Sequence, residues 1–142
     1  MRRSFRGKSK ETGEWIYSTG MIYDDELSER VMLLDETTGE FEEVTAYSFG
    51  QATGLYDKNG KEIYEGDIVR FSSSPECFVD NIVVFHYGAF GYFAYNTFIP
   101  YAGNSNFNFN PCGTDSHHEI VGNVADNPED CKKILERQKN GY

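Results

Sequence analysis

Short apolar runs recur along this 142-residue chain, each bounded by Gly, Asn or Asp clusters, the pattern of successive β-hairpins. Phe5, Trp15 and Tyr17 carry the first, with a turn at Lys10-Glu11-Thr12-Gly13. Asp24 to Arg30 is acidic and polar, and predicts a loop or a single helical turn. Val31-Met32-Leu33-Leu34, a turn at Glu36–Gly39 and a return arm from Phe41 to Val44 make the second hairpin. The third surrounds Asp57-Lys58-Asn59-Gly60, where Asn-Gly suits a tight turn with two positive φ values. Glu65-Gly66-Asp67 is a bend that launches a strand at Ile68–Phe71, and Ser72 to Pro75 is expected as a loop.

Further on, strands are expected at Asn81–Tyr87 and Gly91–Thr97 around a Gly88-Ala89-Phe90 turn. Residues 103–111 alternate Asn with Phe, as an edge strand or an exposed loop would. Glu119 to Val124 is the last predicted strand. Asn127 as N-cap, Pro128 in the first helical position and acidic Glu129 and Asp130 then open the one helix. Its docked face would be Cys131, Ile134, Leu135 and Gln138. The sum is a mainly β, small and strongly bent barrel-like fold with N-terminal hairpins and one C-terminal α-helix. Its expected divisions are 1–48, 49–127 and 128–142.

Composition changes this picture in two places. Aromatic residues number 10 Tyr, 11 Phe and 1 Trp, so rings can build a core where aliphatic residues are sparse. They concentrate in a stretch, 77–111, that has no Lys or Arg. Tyr87, Phe90, Tyr92, Tyr95, Phe107 and Phe109 are therefore candidates for an interaction surface. The formal charge of −10 is concentrated too. Residues 21–50 carry nine acidic groups and one basic, while residues 1–20 are slightly basic. Arg2, Arg3, Arg6 and Lys8 form a strip that could touch an anion, although the overall charge opposes binding to a phosphate backbone. No apolar stretch approaches the roughly 20 residues of a membrane span, and the basic start has no apolar signal region behind it. With three cysteines and no evident pairing, reduced thiols in a cytosol are expected.

Candidate chemistry is thin. Cys112, His117, His118 and Cys131 could be written as a zinc set, but structural zinc favours close Cys pairs, and adjacent histidines on a strand point to opposite sides. His86 with His117 or His118 and a carboxylate such as Asp115 or Glu119 is a weaker variant. Asp57-Lys58-Asn59-Gly60 starts like a calcium loop, but its glycine comes too early and its flanks are strands. No Gly-x-Ser-x-Gly elbow and no phosphate loop occurs. No catalytic, cofactor or metal residues are assigned, and the chain is expected to be no enzyme. Cys112 with His117 or His118 is the one constellation that proximity could make reactive.

Three blocks meet in one pattern. They are Phe5-Arg6-Gly7-Lys8 through Gly13-Glu14-Trp15-Ile16-Tyr17, then Gly50 through Asp57-Lys58-Asn59-Gly60 to Glu65-Gly66-Asp67-Ile68-Val69, and Glu119-Ile120-Val121-Gly122-Asn123-Val124 with Asp126-Asn127-Pro128-Glu129. Together they resemble the YopX family of phage and prophage proteins, from near residue 5 to near 135. Ala52 and Ser48-Phe49 depart from the pattern. The resemblance implies a β-rich fold and a bacterial or phage setting, in the cytoplasm of the bacterial host cell, and it brings no catalytic residues. The expected function is a non-enzymatic accessory protein that binds another protein, or itself, through its β surface. A nucleic-acid-binding role in phage DNA metabolism and an acidic inhibitor or mimic acting on a basic host protein are the alternatives. No membrane partner and no cofactor are expected.

Overall fold

Glycine turns and paired strands dominate the computed structural model, which describes residues 4–24, 30–74, 76–86, 88–94, 97–100 and 117–140. The chain divides into two compact units, Met1–Ala52 and Thr53–Tyr142.

In the first unit the strands are β1 (Phe5–Lys8), β2 (Trp15–Ser18), β3 (Met21–Asp24), β4 (Arg30–Asp35) and β5 (Glu40–Val44), followed by a 3-10 turn at Ala46–Ser48 and the start of β6 (Gly50–Tyr56). β1 lies between β2 and the first residues of β6, and β3, β4 and β5 form an antiparallel meander. Gly13 and Gly39 close their hairpins with φ values of 76° and 77°, where a side chain would be strained. Val31, Leu33 and Val44 form the buried centre, with Phe5, Ile16, Met21 and Phe49 packed around them. Gly7 makes a close approach possible, because a Cβ there would lie 2.8 Å from Val44 Cγ2.

β6 crosses the division. Gly50 and Gln51 pair with β1, and the strand then leads into the hairpin with β7 (Glu62–Tyr64). This turn is a three-residue loop with Asp57 N–H donating to Lys61 O and Gly60 N–H to Asp57 O. Gly60, at φ 80°, supplies the left-handed residue of such a loop, in place of the expected two-residue primed turn.

The second unit continues with β8 (Asp67–Ser74), β9 (Cys77–Ile82), β10 (Val84–His86), β11 (Ala89–Ala94), β12 (Thr97–Pro100), β13 (His117–Asn123) and helix α1 (Pro128–Asn140). β8 is the centre of the sheet β13-β8-β9, and β10, β11 and β12 form a second meander. One core gathers Ile63, Val69, Phe71, Val79, Val83 and Tyr92; another joins Ile68 and Ile82 to Ile134 of the helix. The bend at Gly66 is a junction. Gly66 N–H donates to Val83 O, Val83 N–H to Asp67 O, and Val124 N–H to Gly66 O.

The fold is mainly β with one helix, as the sequence predicts, and the sheets among the described residues are open rather than closed into a barrel. Several expectations need correction. Ser72 to Ser74 belong to β8, held by β9 beside them, with a register shift between Ser72 and Ser74. The strand expected at Asn81–Tyr87 breaks at Val83, whose amide and carbonyl pair with Asp67 and Gly66 instead. The strand expected at Gly91–Thr97 is two: β11 begins at Ala89, and β12 begins at Thr97. Asn127 precedes the helix as expected and its carbonyl accepts the Cys131 N–H, but its side-chain oxygen caps the Asn123 N–H behind it. Leu135 is 53% exposed rather than docked, so the helix buries a narrow stripe at Ile134 with Cys131 at its side. No described helix is long and apolar enough to cross a membrane.

Candidate functional site

The sheet β3-β4-β5 carries apolar side chains on both faces. Alternation along β4 sends Val31 and Leu33 into the core and Met32 and Leu34 to the opposite side. Register then decides which neighbours share that outer face. Ile22 pairs with Met32, and Phe41 pairs with Leu34, so four apolar side chains lie in two adjacent cross-strand pairs. Ile22 is 46% exposed and Phe41 42%. Glu43 sits opposite Met32, and its carboxylate meets Lys10 Nζ at 2.7 Å, a polar edge to the apolar patch. The geometry is fixed by the β4–β5 loop, where Gly39 N–H donates to Asp35 O at 2.8 Å and Thr37 N–H to Asp35 Oδ1 at 2.9 Å. Sequence reasoning passed over this face, although the uninterrupted run Val31-Met32-Leu33-Leu34 is the signal of a strand apolar on both sides.

At the end of the same unit, Glu14, Asp35, Glu36 and Glu42 line a cleft of about 290 Å³ beside Trp15 and Tyr17, with no Lys or Arg in its wall. Three of the carboxylates also hold the chain. Glu36 accepts the Thr19 N–H and hydroxyl, Glu42 accepts the Ser9 hydroxyl, and Asp35 accepts the Thr37 N–H. The anion strip is corrected at Arg6. Arg6 is 4% exposed, with its guanidinium carbon 4.7 Å from the centre of the Trp15 ring, and Lys8 Nζ lies 5.7 Å from the same centre. Strand pairing places Arg6 opposite Tyr17 and Lys8 opposite Trp15, so both cations lie against the indole, and burial takes Arg6 out of the strip. Arg2 and Arg3 lie outside the described residues.

The aromatic stretch separates into two faces. Tyr92 is 1% exposed and tilts against Phe71 in the core, which corrects its assignment to an interaction surface. Phe90 packs against that core and meets Phe85 edge-on at 4.9 Å, and Phe85 itself is 46% exposed. On the other face of β11, Phe93 clusters with His86 at 5.3 Å and Phe98 at 5.6 Å. Gly91 leaves room for the Phe98 ring, since a Cβ there would come within 2.7 Å of it. Tyr87, Tyr95, Phe107 and Phe109 lie outside the described residues.

The cysteine and histidine candidates are dispersed or undescribed. His118 Nε2 lies 3.0 Å from Tyr56 O, which fixes it as a donor to that carbonyl. His117 stands in β13 opposite Ser72. Cys112 and Asp115 lie outside the described residues. Glu119 takes Lys58 Nζ at 3.4 Å. Burial beside the Ile134 cluster pushes the Cys131 thiol up from its ordinary value. Among the described residues no three of His, Cys, Asp and Glu gather as a metal would require. Asp57 is buried and engaged with backbone: Oδ1 accepts the Asn59 and Lys61 N–H groups at 2.9 Å each, and Oδ2 accepts that of Ile120 at 3.1 Å. Burial alone would raise this carboxyl. The amides of Lys61, Ile120 and Asn59, with the Lys61 charge, outweigh it and hold the pKa below the usual carboxylate value.

Comparison with known proteins agrees with this frame. No curated protein matches the chain. Among solved structures, the crystal structure of protein EF1440 from Enterococcus faecalis is similar in fold, with a TM-score of 0.54 and 20% identity, over 91% of this chain and 97% of that one. The family model described as YopX protein matches residues 4–131, nearly the whole length. The chain belongs to the YopX protein family.

Proposed function

We propose that this is a non-enzymatic accessory protein of a phage or prophage that binds another protein surface through the outer face of β3-β4-β5. The observation that carries the reading is a three-stranded sheet with a buried core face and an outer face where Ile22 and Phe41 are exposed beside the half-buried Met32 and Leu34. Contiguous exposed apolar area edged by charge is the composition of an interface. A second copy is the partner the edge favours. β3 is an outer strand of its sheet, and Met21-Ile22-Tyr23-Asp24 contains neither Lys nor Pro, the residues that normally blunt such an edge.

Sedimentation velocity over a wide concentration range tests this. The wild type is expected to associate, and an Ile22→Lys, Phe41→Lys variant with unchanged circular dichroism is expected to stay monomeric. A wild type that is monomeric throughout refutes the self-associating form. A host protein retained equally by the wild type and the variant removes the face as its docking site.

A second reading, an inhibitor offering carboxylates to a basic host protein, is favoured by the cleft of Glu14, Asp35, Glu36 and Glu42. It requires binding that falls steeply with salt and with Glu14→Gln. Salt-insensitive binding excludes it.

A further inference from the structure

Between helix α1 and the sheet of β8 and β9 lies a cleft of about 320 Å³, well apart in sequence from the face just described. Its floor is apolar: Ile68 and Ile134 are buried, and Val121 is 39% exposed. Its walls carry cations set on rigid elements. Asp80 takes Arg70 with both oxygens, Nε at 2.8 Å and Nη2 at 3.0 Å, and the guanidinium stacks 4.0 Å above the Phe78 ring. This fork holds the Arg70 plane in one orientation and leaves Nη1 outside the pair. Arg137 is anchored through its guanidinium, whose Nη2 donates to the Asp80 carbonyl and to Asn81 Oδ1. Lys133 stands one turn before Arg137 on the same side of the helix and has no partner among the described residues. Asp130 is the remaining carboxylate of the wall.

We propose that this cleft binds a small organic monoanion: a carboxylate held by Lys133 and the outer edge of Arg70, with its aliphatic body on Ile68, Val121 and Ile134. Charge balance supports the assignment. Arg70, Lys133 and Arg137 against Asp80 and Asp130 leave one positive charge, in a chain whose total is −10. A monoanion brings the lining to neutrality, and a cation adds to an imbalance. The volume lies at the lower end of the range for small-ligand clefts, roughly 300–1,000 Å³. The pairing of a few fixed polar groups with an apolar floor is the usual composition of such sites.

The test is titration of the intact chain with hexanoate, followed by backbone amide resonances. Hexylammonium, with the same chain and the opposite charge, and inorganic phosphate, with no apolar body, are titrated in parallel. Hexanoate is expected to shift the amides around residues 68–70, 80–81, 121 and 130–137 saturably. Hexylammonium is expected to leave them unchanged, and phosphate to bind more weakly than hexanoate. Lys133→Gln, at an exposed helical position, is expected to weaken hexanoate about 5- to 10-fold, the effect of one charge-assisted hydrogen bond at a half-open site. Absence of saturable shifts overturns the proposal. So does hexylammonium binding as well as hexanoate, or Lys133→Gln binding hexanoate as the wild type does.

Discussion

Replacing Asp57 with Asn tests how the turn after β6 is tied to β13. The change preserves shape and removes charge. Asn can keep one oxygen where Oδ1 serves Asn59 and Lys61, but its NH2 then faces the Ile120 N–H, donor against donor. One charge-assisted hydrogen bond to a buried group is worth about 1.5–3 kcal/mol, so the loss, with two weakened bonds beside it, comes to about 2–4 kcal/mol. The pH dependence has a definite sign. A carboxyl whose folded pKa is depressed stabilises fully above its unfolded value, about 3.9, and its contribution is lost as pH falls through the folded value. Urea unfolding of the wild type and Asp57→Asn near neutral pH and again near pH 2 measures the difference. The gap is expected to be about 2–4 kcal/mol near neutrality and to shrink to about 1 kcal/mol or less in acid. Hydrogen exchange at the Ile120 amide should accelerate in the variant. A neutral-pH gap below about 0.5 kcal/mol, or one that is the same in acid, refutes the reasoning.

Two further outcomes follow from packing. Gly7→Ala should destabilise the first unit by about 1–3 kcal/mol, because its Cβ would fall 2.8 to 3.1 Å from three atoms of Val44. Adding Val44→Ala removes two of those atoms, so the double variant should lose less than the two single losses added; additive losses in chemical denaturation would count against the contact. Burial raises the Cys131 pKa and keeps the thiol protonated near neutral pH, so iodoacetamide should modify Cys131 several-fold more slowly in the folded chain than in urea, read by peptide mass spectrometry. Equal rates would show that the thiol is not shielded.

Local chemistry made much of this fold legible. Gly13, Gly39 and Gly60 announced their turns because a left-handed residue has few other uses. Pro128 with Glu129 and Asp130 announced the helix for the same kind of reason. What stayed hidden was set by pairing partners. Three serines are poor strand formers, yet Ser72 to Ser74 run in β8 because β9 lies beside them. Tyr92 and Phe93 are equivalent as sequence, and only the register of β11 sends the first into the core and the second outward. Arg6 belongs by sequence to a basic strip, and only strand pairing shows that it lies within reach of Trp15. The candidate face followed the same rule: Ile22 and Phe41 are 19 residues apart, and β4 between them makes them one patch.

The course of β6 has a consequence for how this chain tolerates length changes. Most units of a protein are joined by a loop, where residues are added or lost at little cost. Here the division after Ala52 falls inside a strand whose first residues pair with β1 and whose later ones enter the β7 hairpin. Because side chains alternate, one inserted residue would turn everything on one side of it to the opposite face. The strand that joins the two units is therefore poorly open to insertion, deletion or a fusion junction. Tags belong in the exposed hairpin loop at Gly13, where no neighbour packs against the glycine, rather than at Gly39, whose loop sets the β4–β5 register.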